Sequence, residues 1–64
     1  MDTKMTLKAA RVNAGLTLKD ASKALGVGLQ TIVSWETGKT SPTLRKTKRI
    51  CEVYQIQIQD IFLQ

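Results

Sequence analysis

The chain has 64 residues, with ten lysines and arginines against five acidic residues, a formal net charge of +5 and a pI near 9.8. Its length allows one small core, and 42% hydrophobic with 23% charged residues is typical of a folded domain rather than a disordered segment. One cysteine, Cys51, and no histidine exclude a disulfide scaffold and argue against a Cys/His metal site, so no metal and no cofactor are predicted. No apolar run approaches the roughly 18 residues that span a bilayer, and no signal peptide precedes the domain, so we expect a cytoplasmic protein.

The first two predicted helices are short, and each ends at a glycine. The residues before Gly15 that recur at the spacing of one helical face are Leu7, Ala10, Arg11 and Ala14. Thr17 then forms a capping box with Asp20 three residues later, which begins the second helix. That helix ends at Gly26, and the residues it is expected to turn inward are Ala21, Ala24 and Leu25.

The third and fourth predicted helices flank a short loop. The third ends at Gly38, and its apolar residues are Leu29, Ile32, Val33 and Trp35. Pro42 is well placed just before the fourth helix, with Thr43 in the first turn. The predicted inner face of this helix consists of Leu44, Thr47, Ile50, Cys51 and Tyr54.

A fifth short helix is predicted to hold Ile58, Ile61 and Phe62. The alternation typical of a strand appears only at residues 56–59, too short to predict a strand pair. We therefore predict an all-α fold, a compact five-helix bundle forming a single domain over residues 1–64. Its apolar end, with Ile56 added to the three residues of the fifth helix, is either a dimer surface or, by preference, plain core.

Half of the positive charges fall within eleven residues, with no acidic residue among them: Lys39, Arg45, Lys46, Lys48 and Arg49. A basic patch on a small domain fits a polyanionic partner, either nucleic acid or an anionic membrane surface. A solvated helix face explains the same charges equally well.

Residues 17–37 have the pattern of a helix-turn-helix. Gly26 supplies the positive φ for the turn between the two helices, and the small Ser22 lets them approach closely. Val27 and Ile32 anchor the second helix to the domain. Its opposite side faces outward and fits the major groove of DNA, and the residues expected there are Leu29, Gln30 and Ser34.

The chain resembles the Cro/CI-type (XRE) family of helix-turn-helix DNA-binding domains, which includes the lambdoid phage repressors. The resemblance runs from about residue 6 to residue 62 without an insertion. The matching positions are Gly15-Leu16-Thr17, Leu25-Gly26-Val27, Thr31-Ile32, Trp35-Glu36, Gly38, Pro42, Ile50, Ile56 and Ile61-Phe62. The resemblance implies a lambda-repressor-like fold.

Five positions depart from the family pattern. Gly28 replaces a capping serine, at a cost of a few tenths of a kcal/mol, and Leu18 replaces a glutamine whose side-chain amide contacts phosphate. Thr47 occupies a position where the family has leucine, and Gln55 a position where it has glycine. These two differences leave the packing of the fifth helix, and the angle at which the chain enters it, undetermined. Cys51 stands for alanine and is interpreted as a small buried residue, not a redox switch.

The helix-turn-helix frame assigns base reading to four residues of the third helix. Gln30 can bond adenine N6 and N7 bidentately, a contact that discriminates by about 1–3 kcal/mol, although a solvated amide is the alternative. Ser34 reaches a base edge or a phosphate. Leu29 packs on a thymine methyl or folds back onto the domain. Val33 lies at the margin of the same helix face and is partly packed against the domain.

Phosphate contacts and structural roles follow from the resemblance. The resemblance gives Thr17, Leu18, Lys39 and Thr40 as phosphate positions. Arg45 and Lys46 are added as candidate phosphate contacts by their charge, and the backbone N–H groups at the start of the second helix by the helix dipole. Arg45, Lys46 and Arg49 either extend this grip or merely solubilise the fourth helix. Arg11 is expected to pair with Glu36, and Trp35 to pack on the core.

The leading hypothesis is a sequence-specific, double-stranded-DNA-binding transcriptional regulator, a repressor of phage or prokaryotic type. It would bind a pseudo-palindromic operator as a homodimer and be monomeric when free in solution. The alternative is an antitoxin or protein-docking module whose main partner is another protein. An enzyme is not supported, because the sequence offers no histidine, no nucleophile–base pair and no phosphate-binding glycine loop.

Overall fold

The computed structural model describes residues 4–62, which form four α-helices and a small two-stranded sheet. In chain order the elements are β1 (Met5–Thr6), α1 (Leu7–Asn13), α2 (Leu18–Leu25), α3 (Leu29–Thr37), α4 (Leu44–Tyr54), a 3₁₀ turn (Ile58–Asp60) and β2 (Ile61–Phe62). None of the helices within residues 4–62 combines the length and apolar content that crossing a bilayer requires.

Threonines begin three of the four helices. The hydroxyl of Thr6 accepts a hydrogen bond from the Ala9 N–H (3.1 Å) at the start of α1. The predicted capping box at Thr17 is confirmed, because its hydroxyl accepts from the Asp20 N–H (3.0 Å) while the Asp20 carboxylate accepts from the Thr17 N–H (3.1 Å). Thr43, predicted in the first turn of α4, is instead its N-cap residue.

A residue with a left-handed backbone conformation follows each of the helices α1, α2, α3 and α4. Gly15, Gly26 and Gly38 have φ values of 78°, 68° and 81°, which glycine adopts without a Cβ penalty. Gln55 closes α4 with φ 56° and ψ 50°. The position where the family has glycine therefore keeps the left-handed conformation, although its side chain makes that conformation less favourable.

The core draws on every helix and on the second strand. Its buried hydrophobic residues are Leu7, Ala10, Ala21, Leu25, Ile32, Trp35, Ile50, Tyr54 and Ile61. Four predicted core positions are wrong. Ile58 and Phe62, for which plain core was preferred, are 48% and 47% exposed, because Ile61 is the residue of this end that turns into the core. Ala24 is exposed because Ala21 and Leu25 already form the inward stripe of α2, and Leu44 is 66% exposed because no element covers the first turn of α4.

The predicted fifth helix is wrong, and so is the prediction that the chain has no strand pair. After a 3₁₀ turn, β2 pairs in parallel with β1, with Met5 opposite Ile61 and Thr6 opposite Phe62. A helix over residues 58–62 would have little more than one turn, which gains too few hydrogen bonds to offset its nucleation cost. Isoleucines favour extended backbone, and β1 offers a partner with free hydrogen-bonding groups.

Candidate nucleic-acid interface

A three-residue turn joins α2 to α3. The Gly26 N–H donates to the Ser22 carbonyl (2.9 Å), and the Val27 N–H donates to the same oxygen (3.2 Å). The Ser22 hydroxyl donates in turn to the Val27 carbonyl, so a small polar side chain fastens the turn to the end of α2. Gly28 is the N-cap of α3 without any side-chain hydrogen bond.

Helix α3 has one face in the core and one face in solvent. Ile32 and Trp35 are buried, whereas Leu29 and Val33 are 47% and 42% exposed. Gln30 is also exposed, and Ser34 is half-buried. Residues at i, i+4 spacing share a helix face, so Leu29 and Val33 lie on one row and Gln30 and Ser34 on the next. The four residues expected to read bases therefore lie together on the outer side of α3.

An ion pair holds the far end of α3 against α1. Arg11 Nε donates to Glu36 Oε2 (2.7 Å), and each side chain is only 9% exposed. A second guanidinium nitrogen of Arg11, Nη1, donates to the Leu16 carbonyl (2.8 Å), which lies between α1 and α2. One side chain thus links α1, the loop before α2, and α3, and this fixes the angle at which α3 is presented.

Tyr54 of α4 lies next to this ion pair. Burial raises the pKa of the Tyr54 hydroxyl, the negative charge of Glu36 raises it further, and the positive charge of Arg11 lowers it. The charges of the ion pair therefore influence the ionisation of the Tyr54 hydroxyl.

A shallow groove runs along the outer side of α3 toward the following loop. Its lining consists of Gln30, Val33, Ser34, Thr37 and Lys39. The N–H groups of Lys39 and Thr40 both donate to the Ser34 carbonyl, at 3.0 and 3.4 Å, which folds the loop back onto the end of α3. Lys39, a predicted phosphate contact, therefore lies beside residues that were predicted to read bases.

Sequence reasoning did not single out Thr37, which also lines this groove. Its hydroxyl donates to the Val33 carbonyl (2.9 Å) and approaches the Ser34 carbonyl (3.4 Å), so its polar group is turned toward the helix backbone. The spacing of four residues from Val33 is the signal that places it on this face.

Thr17 and Leu18, which were predicted to contact phosphate, lie at the start of α2. Thr17 is exposed, its hydroxyl serves the capping box, and its own N–H is taken by the Asp20 carboxylate. The backbone hydrogen bond from Thr17 is the main cause that lowers the pKa of Asp20, so this carboxylate stays charged close to the helix start. Because the Asp20 N–H donates to the Thr17 hydroxyl, the first-turn N–H groups that remain for an anion are those of Leu18 and Lys19.

The basic residues of α4 belong to a different surface. Arg45, Lys48 and Arg49 are exposed and line a second groove together with Leu44 and Glu52. Lys46 is half-buried. Arg45 and Lys46 lie in the first turn of α4, whereas Arg49 lies one turn further from the α3 loop. The eleven-residue basic cluster of the sequence is therefore divided between the α3 groove and the outer face of α4.

Cys51 is half-buried on α4, and burial raises the pKa of its thiol, which keeps it protonated. Among residues 4–62, His, Cys, Asp and Glu side chains do not form a group of three or more suited to a metal ion.

The chain is similar to known helix-turn-helix proteins over most of its length. A family model described as helix-turn-helix matches residues 7–61. An uncharacterized HTH-type transcriptional regulator of Methanocaldococcus jannaschii is 40% identical over 60 residues, covering 94% of this chain and 91% of that protein. Two uncharacterized HTH-type transcriptional regulators of Archaeoglobus fulgidus are each 35% identical over 57 residues, covering 89% of this chain and 81% and 80% of their own lengths. No solved structure matches the chain.

Proposed function

Because the chain belongs to the Cro/CI-type helix-turn-helix family of DNA-binding transcriptional regulators, we propose that it acts as a repressor that occupies an operator. The observation that carries this proposal is the division of α3 into a core face and an open face, with its end fastened by the Arg11–Glu36 ion pair. A rigid helix presented in this way fits a major groove about 12 Å wide. The proposed unit is one domain over residues 1–64.

Sequence selection is proposed to come from the outer side of α3. Gln30 is exposed and free to reach the N6 and N7 atoms of adenine, and Ser34 follows one turn later on the same face. Leu29 and Val33 add apolar contacts to base edges. These four side chains share a single surface, so one helix can reach several neighbouring base pairs at once.

Affinity that does not depend on sequence is proposed to come from the phosphate contacts. Lys39 and Thr40 follow Gly38 at the end of α3, and α2, capped by Thr17, offers backbone N–H groups from Leu18 onward in its first turn. Arg45 and Lys46 extend the contact from the first turn of α4. Each cation that neutralises a phosphate releases counterions, so binding weakens as salt rises. These contacts set the register of α3 on the duplex but do not read the sequence.

We propose a homodimer on a pseudo-palindromic operator, with the chain monomeric in the absence of DNA. Two large apolar side chains near the end of the described chain support a dimer surface, because Ile58 is 48% and Phe62 is 47% exposed. Ile61, which sequence reasoning grouped with them, lies in the core and supports the fold. Two half-sites about one helical turn apart match such a dimer. Acting on chromosomal DNA, the protein would work in the cytoplasm.

Selection from a random-sequence duplex pool at a low and a near-physiological salt concentration tests the proposal. We expect an enriched half-site, repeated in inverted orientation about one turn away. Gln30→Ala should lose about tenfold or more in affinity for the enriched site without a change in melting temperature. Gln59→Ala removes an exposed glutamine outside α3 and should bind like the wild type. Retention that is unselective and vanishes near physiological salt would refute sequence-specific binding.

A further inference from the structure

We infer that α3 selects an A·T-rich half-site by packing Leu29 and Val33 against the C5 methyl groups of thymines, around a single adenine contact by Gln30. This inference rests on the proposed function and specifies what the same surface recognises. Two observations support it. The outer side of α3 has few side chains that can bond base edges, and it exposes the apolar side chains of Leu29 and Val33.

The hydrogen-bonding capacity of α3 toward DNA is small. Glu36, the only charged residue among residues 29–37, is held by Arg11 (2.7 Å). The Thr37 hydroxyl is held by the Val33 carbonyl (2.9 Å), although Thr37 lines the groove. Of the groove-lining side chains that α3 supplies, Gln30 and Ser34 are the ones whose donors are left to bond base edges.

The side chains of α3 that can bond base edges are poorly suited to bind guanine. The commonest specific contact to guanine is a bidentate bond from arginine or lysine to O6 and N7, and residues 29–37 contain neither. The cation that lines the groove, Lys39, lies beyond the end of α3, where the proposed function assigns it to a phosphate. Glutamine, in contrast, matches the donor and acceptor of adenine.

Apolar contact area is abundant on the same surface. Leu29 and Val33 are four residues apart, on one row of the helix, and nearly half of each side chain is exposed. The thymine C5 methyl is the apolar group that standard base pairs present in the major groove. Packing on such methyls removes both side chains from water, and it also positions Gln30 for an adenine in the same half-site.

Replacing thymine by uracil in the selected operator tests the inference, because the base loses its methyl and keeps its hydrogen-bonding pattern. Each contacted thymine should cost about fourfold in affinity when replaced, as expected for the loss of one buried methyl. Substituted thymines outside the region that α3 covers should leave the affinity unchanged. The change is made in the DNA, so the fold of the protein is untouched.

Protein variants then assign each methyl to a side chain. In Leu29→Ala the penalty for uracil should disappear at one thymine position, and in Val33→Ala at a different one. Leu44→Ala is the matched control, since Leu44 is an exposed leucine like Leu29 but lies on α4 and not on α3. It should retain the full penalty at every position.

The outcomes separate this inference from the proposed function. A selected operator that is rich in G·C pairs, or one whose thymines tolerate uracil without loss, overturns the methyl contacts while sequence-specific binding stands. A uracil penalty that persists in both Leu29→Ala and Val33→Ala also overturns them. If no operator is selected at all, the proposed function fails and this inference fails with it.

Discussion

Replacing Glu36 by glutamine tests how α3 is held in place. The substitution keeps the size of the side chain and removes its charge, while Arg11 keeps its hydrogen bond to the Leu16 carbonyl at 2.8 Å. The guanidinium then remains about nine-tenths buried beside a neutral amide instead of a carboxylate. Burial has removed water from the Arg11 guanidinium, and a neutral amide compensates for that loss less well than a carboxylate does.

The expected loss is large for a chain of this size. Removing one partner of a buried pair costs about 3–5 kcal/mol, and the surviving bond to Leu16 favours the lower end, about 3 kcal/mol. A domain of this length is stable by roughly 3–10 kcal/mol in total. About 3 kcal/mol corresponds to a fall of roughly 12–24 °C in melting temperature.

Thermal unfolding followed by circular dichroism measures this loss. Glu52→Gln removes an exposed acid of α4 and serves as the control, with an expected change within about 0.5 kcal/mol. Replacing both partners by apolar residues, Arg11→Met with Glu36→Leu, should recover much of the stability. A Glu36→Gln protein that melts within a few degrees of the wild type would refute the proposed role of the pair.

Tyr54 gives an independent readout of the same perturbation. It is the only tyrosine of the chain, so tyrosinate absorbance reports its ionisation alone. Since Glu36 contributes to the raised pKa of Tyr54, that pKa should fall in Glu36→Gln and rise in Arg11→Met, where the lowering influence of Arg11 is lost. An unchanged pKa in both folded variants would contradict the described proximity.

Three further predictions concern the capping box, two left-handed residues and the thiol. Because Asp20 has a lowered pKa in the folded chain, its stabilisation is full above its ordinary value of 3.8 and disappears as pH falls through the folded pKa. The difference in melting temperature between wild type and Asp20→Asn should therefore shrink from pH 6 to pH 3, and a constant difference would argue against the box with Thr17. Gly26→Ala should lower the free energy of unfolding by about 1 kcal/mol, and Gln55→Gly should raise it by a similar amount, as measured by urea unfolding. If both variants changed the free energy of unfolding in the same direction, one of the two residues would not have the left-handed conformation. Cys51 should react with iodoacetamide more slowly in the folded protein than in urea, because burial raises the pKa of its thiol; equal rates would show that the thiol is open.

The helices were predictable because local chemistry specifies them. Thr17 and Asp20 define one helix start, and Gly26 and Gly38 end two helices by the same left-handed geometry. The segment after Gln55 was not predictable in this way. Its isoleucines are compatible with a helix, and only the position of β1, far away in the sequence, makes a strand at Ile61–Phe62 the better solution.

The surface of the candidate interface was predictable to a similar degree. The helix-turn-helix spacing alone places Leu29, Gln30 and Val33 on the outer side of α3, where the structure has them. It does not reveal that the Thr37 hydroxyl is tied to the backbone, or that Arg49 faces a separate groove with Glu52. Hydrogen bonds and groove lining depend on how α4 and the loops pack, which no local pattern encodes.

The most direct test of the account compares Gln30→Ala and Lys39→Ala on the selected operator and on a scrambled duplex, by fluorescence anisotropy over a range of salt. Reading by α3 predicts that Gln30→Ala loses most of its preference for the operator and keeps the wild-type salt dependence. A phosphate contact by Lys39 predicts that Lys39→Ala keeps the preference, while the slope of log affinity against log salt becomes shallower by about 0.9 for each bound copy, or about 1.8 for a dimer on the full operator. A Gln30→Ala protein with native melting temperature and undiminished preference for the operator would contradict the central claim that α3 reads the DNA.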